Sequence, residues 1–103
     1  MSWHHVATLE EFANSEVIEI EVGERRVAVY CVEGAYFAID NICTHQFALL
    51  SDGYIDGGCV ECPLHQALFD IRTGKVLEGP TDKNLETYEV KLEDGSVSVS
   101  IPE

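Results

Sequence analysis

Residues 43–65 read CTHQFALLSDGYIDGGCVECPLH, and the two ends of this stretch decide the reading of the chain. Cys43-Thr44-His45 and Cys62-Pro63-Leu64-His65 each pair one thiol with one imidazole, with sixteen residues (46–61) between them. Together they offer two sulfur and two nitrogen donors on two short segments. Pro63 stiffens the second segment by fixing its own φ and restricting Cys62 before it. A tetrahedral zinc ion takes the same donor set, although zinc sites usually pair like with like, C-x2–4-C followed by H-x3–5-H. Here the order alternates Cys, His, Cys, His. The plainest alternative is that these cysteines and histidines never meet.

Alternation suits a binuclear iron–sulfur centre with cysteines on one iron and histidines on the other. Thiolates donate strongly and hold ferric iron, while neutral imidazole leaves its iron easier to reduce. The pattern C-x-H-x16-C-x2-H is similar to the two cluster-binding loops of the Rieske iron–sulfur family in ligand order and in both short spacings. The resemblance implies one [2Fe–2S] cluster held by Cys43, His45, Cys62 and His65. It also implies an all-β fold, an antiparallel β-sandwich base with a small cluster-binding subdomain. The base would comprise residues 1–42 and 81–103, and the subdomain residues 43–80. Gly79-Pro80 falls where the family has a proline-containing loop shielding the cluster from a third side.

Cys59 and Cys62 also form a C-x-x-C, which can signal thiol–disulfide exchange. That chemistry needs a helix N-terminus to lower a thiol pKa. Here Gly57-Gly58 precede the motif, Pro63 follows it, and no helical pattern lies downstream. In an extended segment the two side chains fall on opposite faces. Cys59 is therefore expected to be a small buried hydrophobe, and so is Cys31 within Val27–Val32.

The chain has 103 residues, the size of one domain with no room for a second catalytic module. Nineteen acidic against six basic residues give a formal charge of −13, unsuited to nucleic acid or anionic membranes. Such a surface also steers association with basic docking sites. No stretch approaches a membrane span, and the opening residues lack the basic and apolar regions of a signal peptide. The expected compartment is the cytoplasm and the expected working unit a monomer.

Strand-like segments separated by Gly, Asn and Asp recur along the chain. Ile18, Ile20 and Val22 alternate on one face, and Gly23-Glu24 turn the chain into Arg26–Val32. Glu33-Gly34 join that strand to Tyr36–Ile39 as a tight hairpin. Leu68–Leu77 form a hairpin turning at Thr73-Gly74. Tyr88, Val90 and Leu92 alternate, Asp94-Gly95 turn, and Val97, Val99 and Ile101 alternate back. Leu9–Phe12 suggests one helical turn capped by Thr8, and His4-His5 an exposed strand edge.

Respiratory Rieske loops carry an extra cysteine on each loop, joined as a disulfide; the matching positions here are Ala48 and Leu64. The respiratory serine and tyrosine that donate hydrogen bonds to cluster and ligand sulfur are matched by Ala67 and Phe69. Such donors stabilise the reduced state, so their absence implies a low potential, and electron transfer independent of pH near neutrality. Gln46, Phe47, Pro63, Leu64 and Gln66 are expected to form an uncharged docking tip around the histidines. The whole chain resembles the small Rieske ferredoxin of bacterial aromatic ring-hydroxylating dioxygenase systems. That resemblance implies an electron-transfer component rather than an enzyme, acting in aromatic hydrocarbon catabolism. Its partners would be a flavin-dependent, NAD(P)H-fed ferredoxin reductase and a terminal oxygenase. The alternative is the small Rieske-like subunit of an assimilatory nitrite reductase.

Overall fold

The computed structural model describes residues 2–43, 48–63, 67–79 and 83–102. In chain order the strands are β1 (Ser2–Thr8), β2 (Val17–Val22), β3 (Arg25–Val32), β4 (Ala35–Asp40), β5 (Tyr54–Asp56) and β6 (Cys59–Glu61). They continue as β7 (Leu68–Asp70), β8 (Val76–Glu78), β9 (Thr87–Tyr88), β10 (Val90–Glu93) and β11 (Ser96–Ile101). Their pairings are all antiparallel and build three sheets, ordered β1-β11-β10, β2-β3-β4-β9 and β5-β6-β7-β8. The fold is the all-β architecture expected from the sequence.

Local chemistry sets the connections. Glu33-Gly34 and Asp94-Gly95 reverse the chain with both residues at positive φ (51° and 82°, 52° and 76°). This geometry matches the twist of paired strands and tolerates a carboxylate-bearing residue first and glycine second. The helical turn α1 (Leu9–Phe12) starts at a capping box. Glu11 N–H donates to Thr8 Oγ1 at 3.2 Å, and Thr8 N–H donates to Glu11 Oε1 at 3.2 Å. Phe12 then meets Tyr36 edge-on, with ring centroids 5.1 Å apart.

The central sheet is buried on both faces, and β3 shows why. Val27–Val32 is an unbroken apolar run, as a two-sided strand requires. Val27 and Val29 join Ala7, Phe12, Ala38, Val97, Val99 and Ile101 in one core, beneath the first sheet. Ala28, Tyr30 and Val32 face the other way, into a second core shared with Ile39, Leu50, Val60, Phe69 and Ile71. Cys43 and Cys62 belong to this second core.

Three local expectations need correction. Tyr88, Val90 and Leu92 do not form one strand. The chain changes sheets at Glu89, so Tyr88 pairs with Ala38 of β4 while Val90 pairs with Val99 of β11. Tyr88 is drawn to the central sheet by its hydroxyl, which donates to Asp40 Oδ1 at 2.5 Å and accepts from Arg25 at 2.9 Å. Its phenol is pushed up to about 12, by burial first and by the bond to Asp40 second, with Arg25 pulling the other way. Leu92, on the edge strand, is exposed. Cys31 and Cys59 are only half-buried rather than core residues. Cys59 lines a shallow hollow on the outer face of the third sheet with Tyr54, Asp56, Glu61 and Leu68.

Candidate metal centre

Two loops of like construction converge on the second core. The first leaves β4 at Asp40 and narrows to a neck. Ile42 and Leu49 form an isolated antiparallel bridge, and Cys43 N–H donates to Ala48 C=O at 2.9 Å. The second opens out of the β6–β7 ladder, where Glu61 pairs with Leu68 and Cys62 N–H donates to Ala67 C=O at 2.8 Å. Each loop is therefore closed between a cysteine and an alanine five residues later. Small alanines let the two arms of each neck approach; Ala48 and Ala67 are both buried.

These necks turn both cysteines inward. Cys43 is 3% exposed and Cys62 1% exposed, and both lie in the same apolar cluster. Cys59, three residues earlier, sits on the opposite face, as expected for a strand. The C-x-x-C is therefore not a dithiol pair. The side chains that share this cluster with Cys43 and Cys62 include Leu50, Val60, Phe69 and Ile71. Two thiolates there would need the positive charge of a metal core, because unpaired buried charge is strongly disfavoured. The donor set and its surroundings fit such a core.

The predicted ligands His45 and His65 lie outside the described residues, as do Gln46, Phe47, Leu64 and Gln66 of the predicted tip. Among the described residues no group of three metal-binding side chains assembles, so the structure places the two cysteines and not the full set. Pro63, also expected at the tip, is half-buried in a turn. Ala67 and Phe69, the positions lacking a hydroxyl, are fully buried in the cluster that holds both cysteines.

Gly79 packs against the second neck. Its φ is +125°, and a Cβ there would lie 2.6 Å from Ala67 Cα. Residue 79 thus runs directly over the residue that closes the Cys62 loop, consistent with a third wall; Pro80 lies outside the described residues. Sequence reading had placed the dipeptide but not the reason for glycine. It also passed over Asn41, a buried polar residue two positions before Cys43.

One buried polar atom near these cysteines is unaccounted for. Tyr30 is fully buried in the same core, and its hydroxyl has no hydrogen-bond partner among the described residues. Burial pushes its pKa well up. An unmade buried hydrogen bond costs about 1–3 kcal/mol. Tyr30→Phe should therefore stabilise the protein by about 1 kcal/mol, raising Tm by roughly 4–8 °C. A lowered Tm in the metal-loaded protein would show that the hydroxyl donates to a partner there.

Comparison with known proteins agrees with this geometry. The model of the Rieske [2Fe-2S] domain matches residues 2–89. The ferredoxin component of the naphthalene 1,2-dioxygenase system of Pseudomonas putida is 41% identical over 101 residues, covering 98% of this chain and 97% of that protein. The solved Sphingomonas yanoikuyae B1 ferredoxin superposes with a TM-score of 0.86 at 36% identity, over 98% of this chain and all of that one (100%). A chain in the complex of reduced oxygenase and oxidized ferredoxin in carbazole 1,9a-dioxygenase gives a TM-score of 0.89 at 32% identity, covering 95% and 92%. With buried paired cysteines at two matching loop necks and a family match across most of its length, the chain belongs to the Rieske [2Fe-2S] domain family.

Proposed function

We propose that this chain is the ferredoxin of an aromatic ring-hydroxylating dioxygenase system. It would carry single electrons from a flavin-dependent, NAD(P)H-fed reductase to a terminal oxygenase. Cys43 and Cys62 would hold one iron of a [2Fe–2S] cluster, and His45 and His65 the other. When bound, the cluster supplies reversible one-electron chemistry. The observation that carries this reading is the burial of both cysteines at two like-built loop necks within one core. Full-length similarity to dioxygenase ferredoxin components supports it. Those relatives are electron-transfer components rather than catalytic subunits, and nothing among them supports the nitrite reductase alternative.

The protein's own contribution is to hold, tune and present. The apolar walls around Cys43 and Cys62 exclude water, and the third sheet rigidifies the second loop. We assign residues 43–80 to a cluster-binding subdomain and residues 1–42 and 81–103 to its base; the separate third sheet, spanning 54–78, supports that division. Acidic surface steers encounter with basic patches on partners. Arg25, Arg26 and Arg72 are each within 4 Å of a carboxylate (2.8 Å to Glu86, 3.6 Å to Glu19, 3.6 Å to Glu33), which leaves the acidic excess to set the surface potential. Among the described residues no helix is long and apolar enough to cross a membrane. We place the protein in the cytoplasm, with its NAD(P)H-fed donor.

Reconstitution tests the role. Reductase, this protein and a terminal oxygenase of such a system should together oxidise an aromatic substrate with NADH. Omission of this protein should abolish turnover. Undiminished turnover without it would refute the carrier role.

A further inference from the structure

We propose that Asn41 is a positioning residue for the metal centre, latched by Glu19 and Ser51 so that the first cysteine-bearing loop is fixed to the central sheet. The proposal rests on the reading of Cys43 as a ligand.

The two loops are not anchored alike. The second continues the β6–β7 ladder, and β7 pairs in turn with β8, with a register shift between Leu68 and Phe69. Among the described residues the first is joined at its neck by the Ile42–Leu49 bridge and the Cys43–Ala48 bond, with no ladder continuing from them. Below that neck lies Asn41, 0% exposed, directly after β4. Its backbone N–H donates to Arg26 C=O of β3 at 2.8 Å, and its C=O accepts from Leu50 N–H at 2.7 Å. Its side-chain Nδ2 donates to Glu19 Oε2 of β2 at 2.6 Å and to Ser51 Oγ at 3.0 Å. Its Oδ1 accepts from Ser51 N–H at 2.7 Å.

Those partners fix the amide orientation. Only the nitrogen can donate to a carboxylate, and only the oxygen can accept a backbone N–H. One side chain thus ties together the arm entering the loop, the arm leaving it, and β2. The bond to Glu19 is charge-assisted, and Arg26 flanks the same carboxylate at 3.6 Å. A buried amide satisfied on both ends gives one well-defined geometry, and leaving any of these groups unpaired would be costly. The latch is polar where a purely structural site could have been apolar, and it lies two residues from the cysteine.

A swap of donor and acceptor tests it. In Asn41→Asp two carboxylates face each other and the donor to Glu19 is gone. In the double variant Asn41→Asp/Glu19→Gln the glutamine amide donates back to the aspartate, which still accepts from Ser51 N–H. Wild type, Glu19→Gln, Asn41→Asp and the double variant are compared as metal-loaded proteins. The readouts are loss of visible absorbance in chelator, the EPR line of the reduced form, and amide exchange at Leu50 and Ser51. Asn41→Asp should bleach at least about tenfold faster, with a broadened EPR line and faster exchange at both amides, while the double variant returns near wild type. If Asn41→Asp yields no folded protein, recovery in the double variant still decides. Wild-type behaviour of Asn41→Asp, or a double variant no better than Asn41→Asp, would overturn the proposal. A wild-type protein without the visible band would instead refute the ligand reading, and the positioning role with it.

Discussion

Cys62→Ser is expected to abolish the visible absorption of the protein and its electron transfer, while Cys59→Ser leaves both unchanged. The two cysteines differ by three positions and by a change of face. Cys62 is 1% exposed, in one apolar cluster with Val60, Ala67 and Phe69. A serine hydroxyl stays protonated near neutral pH and is a hard, weak donor to an iron–sulfur core. It would also leave an unpaired polar group in an apolar site. Cys59 lies on the outer face of the third sheet, beside Asp56 and Glu61, where a hydroxyl is readily solvated. Iron analysis and a visible spectrum of each purified variant check the contrast. Full iron content in Cys62→Ser would contradict it.

Gly79→Ala should lose about 2–4 kcal/mol, the sum of backbone strain and overpacking, lowering Tm by roughly 10–30 °C. Its φ of +125° is one that residues with a Cβ rarely adopt, and the new methyl would lie 2.6 Å from Ala67 Cα and 2.9 Å from Ala67 Cβ. Relief must come from backbone, because Ala67 is held by its carbonyl to Cys62 N–H at 2.8 Å. Displacing that neck also disturbs the loop carrying Cys62 and His65, so the visible spectrum should change along with Tm. Gly95→Ala is the control. Its φ of +76° is strained as well, but nothing lies within 4 Å of the added carbon. That variant should lose only about 1 kcal/mol. Equal losses in the two variants, measured by thermal melts, would show that contact with Ala67 does not matter.

What could be read from the sequence was what depends on near neighbours or on residue chemistry. Glu33-Gly34 and Asp94-Gly95 announced hairpins because the turn geometry is set by those two residues themselves. Thr8 and Glu11 announced a cap for the same reason. Cys43, His45, Cys62 and His65 stood out because few chemistries use that donor order. The break at Glu89 was not legible. It depends on Tyr88 reaching Asp40 and Arg25, some 48 and 63 positions away in sequence. The partial exposure of Cys31 and Cys59 was not legible, because alternation sets which face a strand residue takes but not what covers that face. Asn41 was missed because a polar residue after a strand reads as a solvated turn; only Glu19 and Ser51 meeting it reveal a buried hub. Gly79 looked like half of an ordinary turn until Ala67 was found beneath it.

This Rieske chain is expected to work at low potential, because Ala67 and Phe69 have no hydroxyl to donate to sulfur. Protein-film voltammetry of the metal-loaded protein tests that most directly. A single one-electron wave is expected near the bottom of the Rieske range, at roughly −150 mV. A clearly positive midpoint, or no reversible wave at all, would contradict it.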